Sequence, residues 1–144
     1  IYYGAIAGIF TEAQFNSIFK SIYLMNWNRL DRNLGIKTYS NTIDELPGDC
    51  SYFKNPDVSP LTPQWQGENA IVLGDGLYYG HGIGIKTAEG IIASLNRHRK
   101  SEATESAYNM NTSTVPGFKS LAEKYYSAYQ YPRFRLQYAP GYSV

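Results

Sequence analysis

Glu68 and His81 are the residues whose types and spacing suit acid–base chemistry. They stand in Gln64-Trp65-Gln66-Gly67-Glu68-Asn69-Ala70-Ile71-Val72-Leu73-Gly74-Asp75-Gly76-Leu77-Tyr78-Tyr79-Gly80-His81-Gly82-Ile83-Gly84-Ile85. Asp75-Gly76 between apolar runs signals a two-residue hairpin loop, because a type I′ turn needs φ > 0 at both central residues. With those residues as the loop, Gly74 faces Leu77, Val72 faces Tyr79 and Ala70 faces His81. Side chains alternate along a strand, so Glu68, Ala70 and Val72 share a face with Tyr79, His81 and Ile83. Glu68 then lies diagonally across from His81, roughly 7–8 Å away between backbones. A carboxylate and an imidazole on one face can take a proton from a thiol. The same residues also fit a hydrogen-bonded strand histidine and a solvated glutamate. A one- or three-residue change in loop length breaks this parity. Tyr78, Gly80, Gly82 and Gly84 make the opposite face, whose glycines leave room for another backbone to approach.

These residues must be carried by elements before and after them. Ile1 to Phe10 is apolar and rich in Gly and Ala, and it predicts part of a buried helix. Thr11 with Gln14 makes a capping box for a new helix, with Phe10 and Phe15 placed as a hydrophobic staple. Phe15, Ile18, Phe19 and Ile22 form its core stripe, which fades near Asn26 to Arg29. Leu30 to Pro63 holds Pro47, Pro56, Pro60 and Pro63 and reads largely as loop, with a short strand at Ser51 to Phe53. After the hairpin, Thr87 caps a helix with Glu89 in its first turn and Ala88, Ile91, Ile92 and Leu95 inward. Arg97 to Lys100 close that helix, and His98 reads as exposed and without a role. A strand is expected near Ala107 to Met110. Pro116 opens a last helix with Phe118, Leu121, Ala122 and Tyr125 inward. From about residue 127 the chain is a Tyr-rich arm.

The order of elements predicts one α+β domain over 1–144, with helices packed on a small antiparallel sheet. The length of 144 residues supports a single core. A net charge of +1 gives no electrostatic case for nucleic acid. No apolar run reaches the length of a membrane span. One Cys and two separated His cannot supply a metal site. The Gly-His-Gly-Ile-Gly run lacks the strand-to-helix context and the Lys-Ser/Thr ending of a phosphate loop. Cys50 excludes an internal disulfide. It follows an acid in a loop, which disfavours the thiolate, so it reads as a structural or channel residue. Fourteen tyrosines suggest an assembling surface.

Three stretches together resemble the bacterial protein-glutamine γ-glutamyltransferase family, the small transglutaminase of spore coats. They are Gly48-Asp49-Cys50-Ser51-Tyr52-Phe53-Lys54-Asn55-Pro56, Gln64 to Asn69, and Tyr79-Gly80-His81-Gly82-Ile83-Gly84-Ile85. Ile1-Tyr2-Tyr3, Phe15-Asn16-Ser17, Asn96 to Arg99 and Ser106-Ala107-Tyr108 add to the likeness, which runs to the last helix.

The resemblance implies a papain-like, NlpC/P60-like fold. It implies acyl transfer from a protein glutamine to a lysine amine through a cysteine thioester, without a cofactor. Glu68 matches the partner acid of the family and His81 the imidazole of the Gly-His-Gly run. Trp65, Asn69 and Tyr79 are the expected substrate-binding residues, Trp65 as a wall that excludes water. The nucleophilic Cys is expected upstream of Ile1, about two turns of helix away. The chain, which begins without Met, is accordingly expected to be the piece that follows the nucleophile, inactive by itself. The outcome is protein cross-linking or, if water replaces the amine, glutamine deamidation. Two other readings stay open: a non-catalytic structural or assembly module on the same fold, and a toxin or effector domain released from a larger polypeptide. The compartments these imply are spore coat, cytoplasm or secreted effector.

Overall fold

In the described residues, 1–24, 30–41 and 44–128 of a computed structural model, local signals set most element starts. The elements are α1 (Tyr2–Ala7), α2 (Glu12–Ile18), β1 (Lys37–Ser40), β2 (Cys50–Lys54), β3 (Gly67–Gly74), β4 (Leu77–Gly80), β5 (Gly84–Thr87), α3 (Ala88–Asn96), β6 (Tyr108–Val115) and α4 (Phe118–Ala128). Arg32–Leu34 and Pro63–Trp65 are 3₁₀ turns. The Thr11–Gln14 capping box forms in both directions. Thr87 caps α3 by accepting from the Gly90 N–H, with Glu89 in the first turn. The expected fading of the helical stripe after Asn26 and most of the Tyr-rich arm lie outside the described residues.

The strands form one antiparallel sheet of six, ordered β1-β6-β2-β3-β4-β5. The short strand expected at Ser51 to Phe53 forms as β2, and the stretch otherwise read as loop also contributes β1. All four residues of β1 are exposed at the sheet edge, so no buried face imposes an apolar alternation on them. The strand expected near Ala107 to Met110 runs on to Val115.

The hairpin turn forms as the sequence requires, with φ of 52° at Asp75 and 70° at Gly76. The face assignment built on it is wrong. Gly74 has φ of 98°, and the register shifts between Val72 and Gly74. This bulge adds one residue to β3, so Ala70 pairs with Gly80, Ile71 with Tyr79 and Val72 with Tyr78. Glu68, Ala70 and Val72 therefore share a face with Tyr78 and Gly80, and not with Tyr79; His81 and Ile83 lie in the turn after β4, from which Ile83 packs back on the cluster that holds Ala70.

Apolar side chains gather in two clusters that share no residue. One is helical: Ile6, Phe10, Phe19, Leu34 and Leu121. Phe10 meets Phe19 and Tyr125 edge-on, with centroids 6.1 and 5.0 Å apart. The other lies between the sheet and α3 and holds Phe53, Ala70, Ile91, Leu95 and Ala107. Full burial of Phe53, Ile91 and Leu95 contributes about 1.5–3 kcal/mol each. Three expectations of burial do not hold. α1 is only partly buried, with Gly4, Ala5 and Ala7 exposed around Ile6; Ile22 lies beyond the end of α2, and Phe118 and Ala122 point outward on α4.

Candidate active site

Glu68 is the second residue of β3 and pairs with Phe53 of β2. Register thus places it on the α3 side of the sheet, near the end of β4. Its carboxyl group rests on bare glycine backbone: a Cβ at Gly80 would come to 3.1 Å from both Glu68 Cγ and Oε1. The carboxylate accepts a hydrogen bond from the His81 backbone N–H. Burial pushes its pKa up from 4.5 to about 7, and the His81 N–H pulls the other way without cancelling it. A carboxyl group titrating there can take a proton near neutral pH and return it.

Two acids in the loop before β2 are engaged in holding the fold. Glu45 accepts the hydroxyl hydrogens of Ser51 and, at 2.6 Å, Tyr78. Asp49 accepts from the Ser113 hydroxyl at 2.6 Å and from the Leu46 N–H at 3.1 Å.

His81 is exposed in the turn after β4. The group it presents to Glu68 is the backbone N–H rather than the ring. Asn69 and Tyr79 lie on the opposite face of the sheet from Glu68, together with Cys50 and Ile71, as the pairing of Cys50 with Ile71 and Ile71 with Tyr79 requires. Asn69 borders a cavity of about 520 Å³ with Arg32, Thr38 and Thr114. Trp65 ends the 3₁₀ turn that leads into β3 and packs on the α3-side cluster. The structure thus brings Glu68 together with the backbone of His81 and with Gly80. It puts Asn69 and Tyr79 across the sheet.

Cys50 opens β2 and is buried. Burial first, then the charges of Glu68 and Asp49, pushes its thiol up to about 12. The Sγ lies 3.9 Å from Asn69 Oδ1. This thiol is not an activated nucleophile. Tyr52 reaches over Gly67, where an added Cβ would lie only 2.6 Å from Phe53 O. Burial and the Glu68 charge raise the Tyr52 phenol.

Two features of this region escaped the sequence reading. The strand glycines were expected to admit another backbone; Gly80 admits the Glu68 side chain instead. His98 was expected to be exposed and idle; it stacks on Trp65 with centroids 3.8 Å apart and planes 10° apart. A Gly directly before Asp75-Gly76 was the available signal for the bulge. No local pattern signals the stack.

Among the described residues, no three His, Cys, Asp or Glu side chains are grouped to hold a metal ion. No described helix is long and apolar enough to cross a membrane.

The family model for Protein-glutamine gamma-glutamyltransferase matches residues 1–126. The chain belongs to that family. A Bacillus mycoides protein-glutamine gamma-glutamyltransferase is 48% identical over 108 residues, covering 75% of this chain and 38% of that protein. A Bacillus cereus protein of the same name is 40% identical over 140 residues, covering 97% of this chain and 49% of its own length. This family member thus spans about half the length, or less, of those relatives. A solved transglutaminase from Geobacillus stearothermophilus, without its C-terminal extension, matches with a TM-score of 0.69 and 55% identity. That match covers 78% of this chain and 53% of the other.

Proposed function

We propose that this chain is the part of a protein-glutamine γ-glutamyltransferase that supplies the acid–base carboxylate, Glu68. The nucleophilic cysteine is carried by a segment that precedes Ile1. One observation carries the reading: a half-buried carboxyl group, seated on Gly80 and bonded by the His81 N–H, titrates at about 7. The thiol of Cys50, at about 12, is unsuited to attack and leaves the nucleophile to another cysteine.

Glu68 takes the proton of that cysteine as its sulfur attacks the carboxamide carbon of a protein glutamine. The C–N bond breaks, and ammonia leaves with the proton that Glu68 returns. A thioester remains. A lysine amine then attacks it, the C–S bond breaks, and the amine proton passes through Glu68 to the thiolate. Water at this second step gives glutamate instead, which is deamidation. Trp65 limits that water; Asn69 and Tyr79, which face away from Glu68, take no part in this step. No cofactor takes part. The substrates are proteins with accessible glutamine and lysine side chains, and cross-linking of an assembled coat is the role that the family likeness favours.

The test uses the polypeptide that includes the upstream cysteine. It should incorporate a labelled primary amine into a glutamine-bearing protein, and a glutamine-mimicking electrophile should label the upstream cysteine. Label on Cys50, or incorporation by residues 1–144 alone, overturns the division of labour.

A further inference from the structure

Trp65 sits on a 3₁₀ turn of three residues, Pro63–Trp65. Such a turn closes with few hydrogen bonds and does not fix the direction of a large ring. The turn is fastened to the C-terminal end of α3 at two levels. At backbone level, the buried Asn55 amide donates to Trp65 O at 3.0 Å and to Leu95 O at 3.1 Å. At ring level, the His98 imidazole lies flat on the indole, 3.8 Å away. His98 is itself fixed by its N–H to Leu95 O at 3.0 Å and by its carbonyl, which accepts from the Ser59 N–H at 2.8 Å. The helix end therefore sets both where Trp65 is and how its ring is turned. Trp65 is three positions before Glu68, with Gln66 O held by the Asn55 N–H at 2.8 Å.

We infer that His98 is a positioning residue that backs the Trp65 indole and so keeps water from the thioester, biasing the product toward amine transfer over hydrolysis. The inference rests on the reading of Trp65 as the wall of the acyl-transfer site. An imidazole in parallel contact covers one ring face and removes the tilts open to an unsupported indole. Aromatic pairs of this kind contribute about 0.5–1.5 kcal/mol beyond area burial.

The readout is a product ratio, amine incorporated against glutamate formed, at fixed amine concentration. A ratio is blind to how much of a variant is folded. In the polypeptide that carries the cysteine, His98→Ala should lower it several-fold, up to about tenfold, the rate equivalent of a stack of that strength. His98→Phe keeps a flat ring and should restore it. Trp65→Ala should lower it at least as far, and the Trp65→Ala/His98→Ala double variant no further than Trp65→Ala, because His98 acts only through Trp65. An active enzyme whose ratio is unmoved by His98→Ala, or is lowered additively by the two changes, overturns the inference alone. An unsubstituted enzyme that incorporates no amine overturns the inference together with the reading beneath it.

Discussion

The Glu68 carboxyl group occupies the space that a side chain at residue 80 would need, 3.1 Å from where the Gly80 Cβ would be. Lying against strand backbone strips water from one side of it, while the His81 N–H supplies a bond that favours its charge. Removal of water dominates, and the acid moves up into the range of a working base.

Glu68→Gln in the polypeptide that carries the nucleophile should lower turnover by about 10²–10⁴, the usual worth of a positioned acid–base group. In the unsubstituted enzyme the base must be deprotonated, so kcat/KM should fall as pH drops through about 7, where Glu68 titrates. An acid limb that persists unchanged in Glu68→Gln assigns it to another group.

The same group makes folding depend on pH. Its pKa rises from 4.5 to about 7 on folding, so the folded state binds more protons between those values. Its stabilising contribution is fully present below about pH 4.5 and is lost as pH rises through about 7. Glu68→Gln should match the parent in urea unfolding at pH 4. It should exceed the parent at pH 8 by on the order of 1 kcal/mol, after allowance for solvent screening of a group this exposed.

His81 serves Glu68 through its main chain, so the side chain and the N–H are separable. His81→Ala keeps the N–H and should change the acid limb little. His81→Pro removes it. The lost bond favoured the charged form, so the Glu68 pKa should rise and the limb move to higher pH. A larger effect of His81→Ala than of His81→Pro restores the imidazole as the active group.

Cys50 should react slowly with iodoacetamide at pH 8, since burial and two nearby carboxylates hold its thiol near 12. Cys50→Ala or Cys50→Ser should leave thioester formation intact, checked by trapping with a glutamine-mimicking electrophile and peptide mapping.

Asp57 holds the turn after α3 through Lys100 at 2.8 Å and the N–H groups of Thr104 and Glu105 at 2.7 and 2.8 Å. These bonds, the Lys100 bond foremost, lower its pKa from 3.8 to about 2. Its contribution is present above about pH 3.8 and is lost as pH falls toward 2. At pH 7, Asp57→Ala should speed amide hydrogen exchange at Thr104 and Glu105 by about tenfold, with little effect elsewhere.

Local chemistry made part of this fold legible. Thr11 with Gln14, and Thr87 with Glu89, mark helix starts because a cap is satisfied within four residues. Ile91 and Leu95 announce the face of α3 by helical spacing. The Asp75-Gly76 turn was readable because few residues accept positive φ. What was lost had little local cause, the bulge apart, for which Gly74 was the one sign. β1 is polar and exposed, so nothing in Lys37-Thr38-Tyr39-Ser40 separates a paired edge from a loop. The Gly74 bulge moved the side chains of β4 to the other face, Tyr78 toward Glu68 and Tyr79 away from it. The candidate acid was found because Glu68 lies in a long motif. Its seat on Gly80 and the His98–Trp65 stack depend on contacts between segments far apart in sequence.

The two apolar clusters share no residue, and that bears on how the molecule comes apart. Ile6 of α1 belongs to the helical cluster and Glu68 to a strand of the sheet, so under the proposed function a cysteine just upstream of α1 and the acid would ride on different cooperative units. A partial opening that releases the helices would leave the sheet and α3 intact yet part the reactive pair. Warming or mild denaturant would then switch off acyl transfer before it melts the strands, and cooling would switch it on again without refolding the sheet.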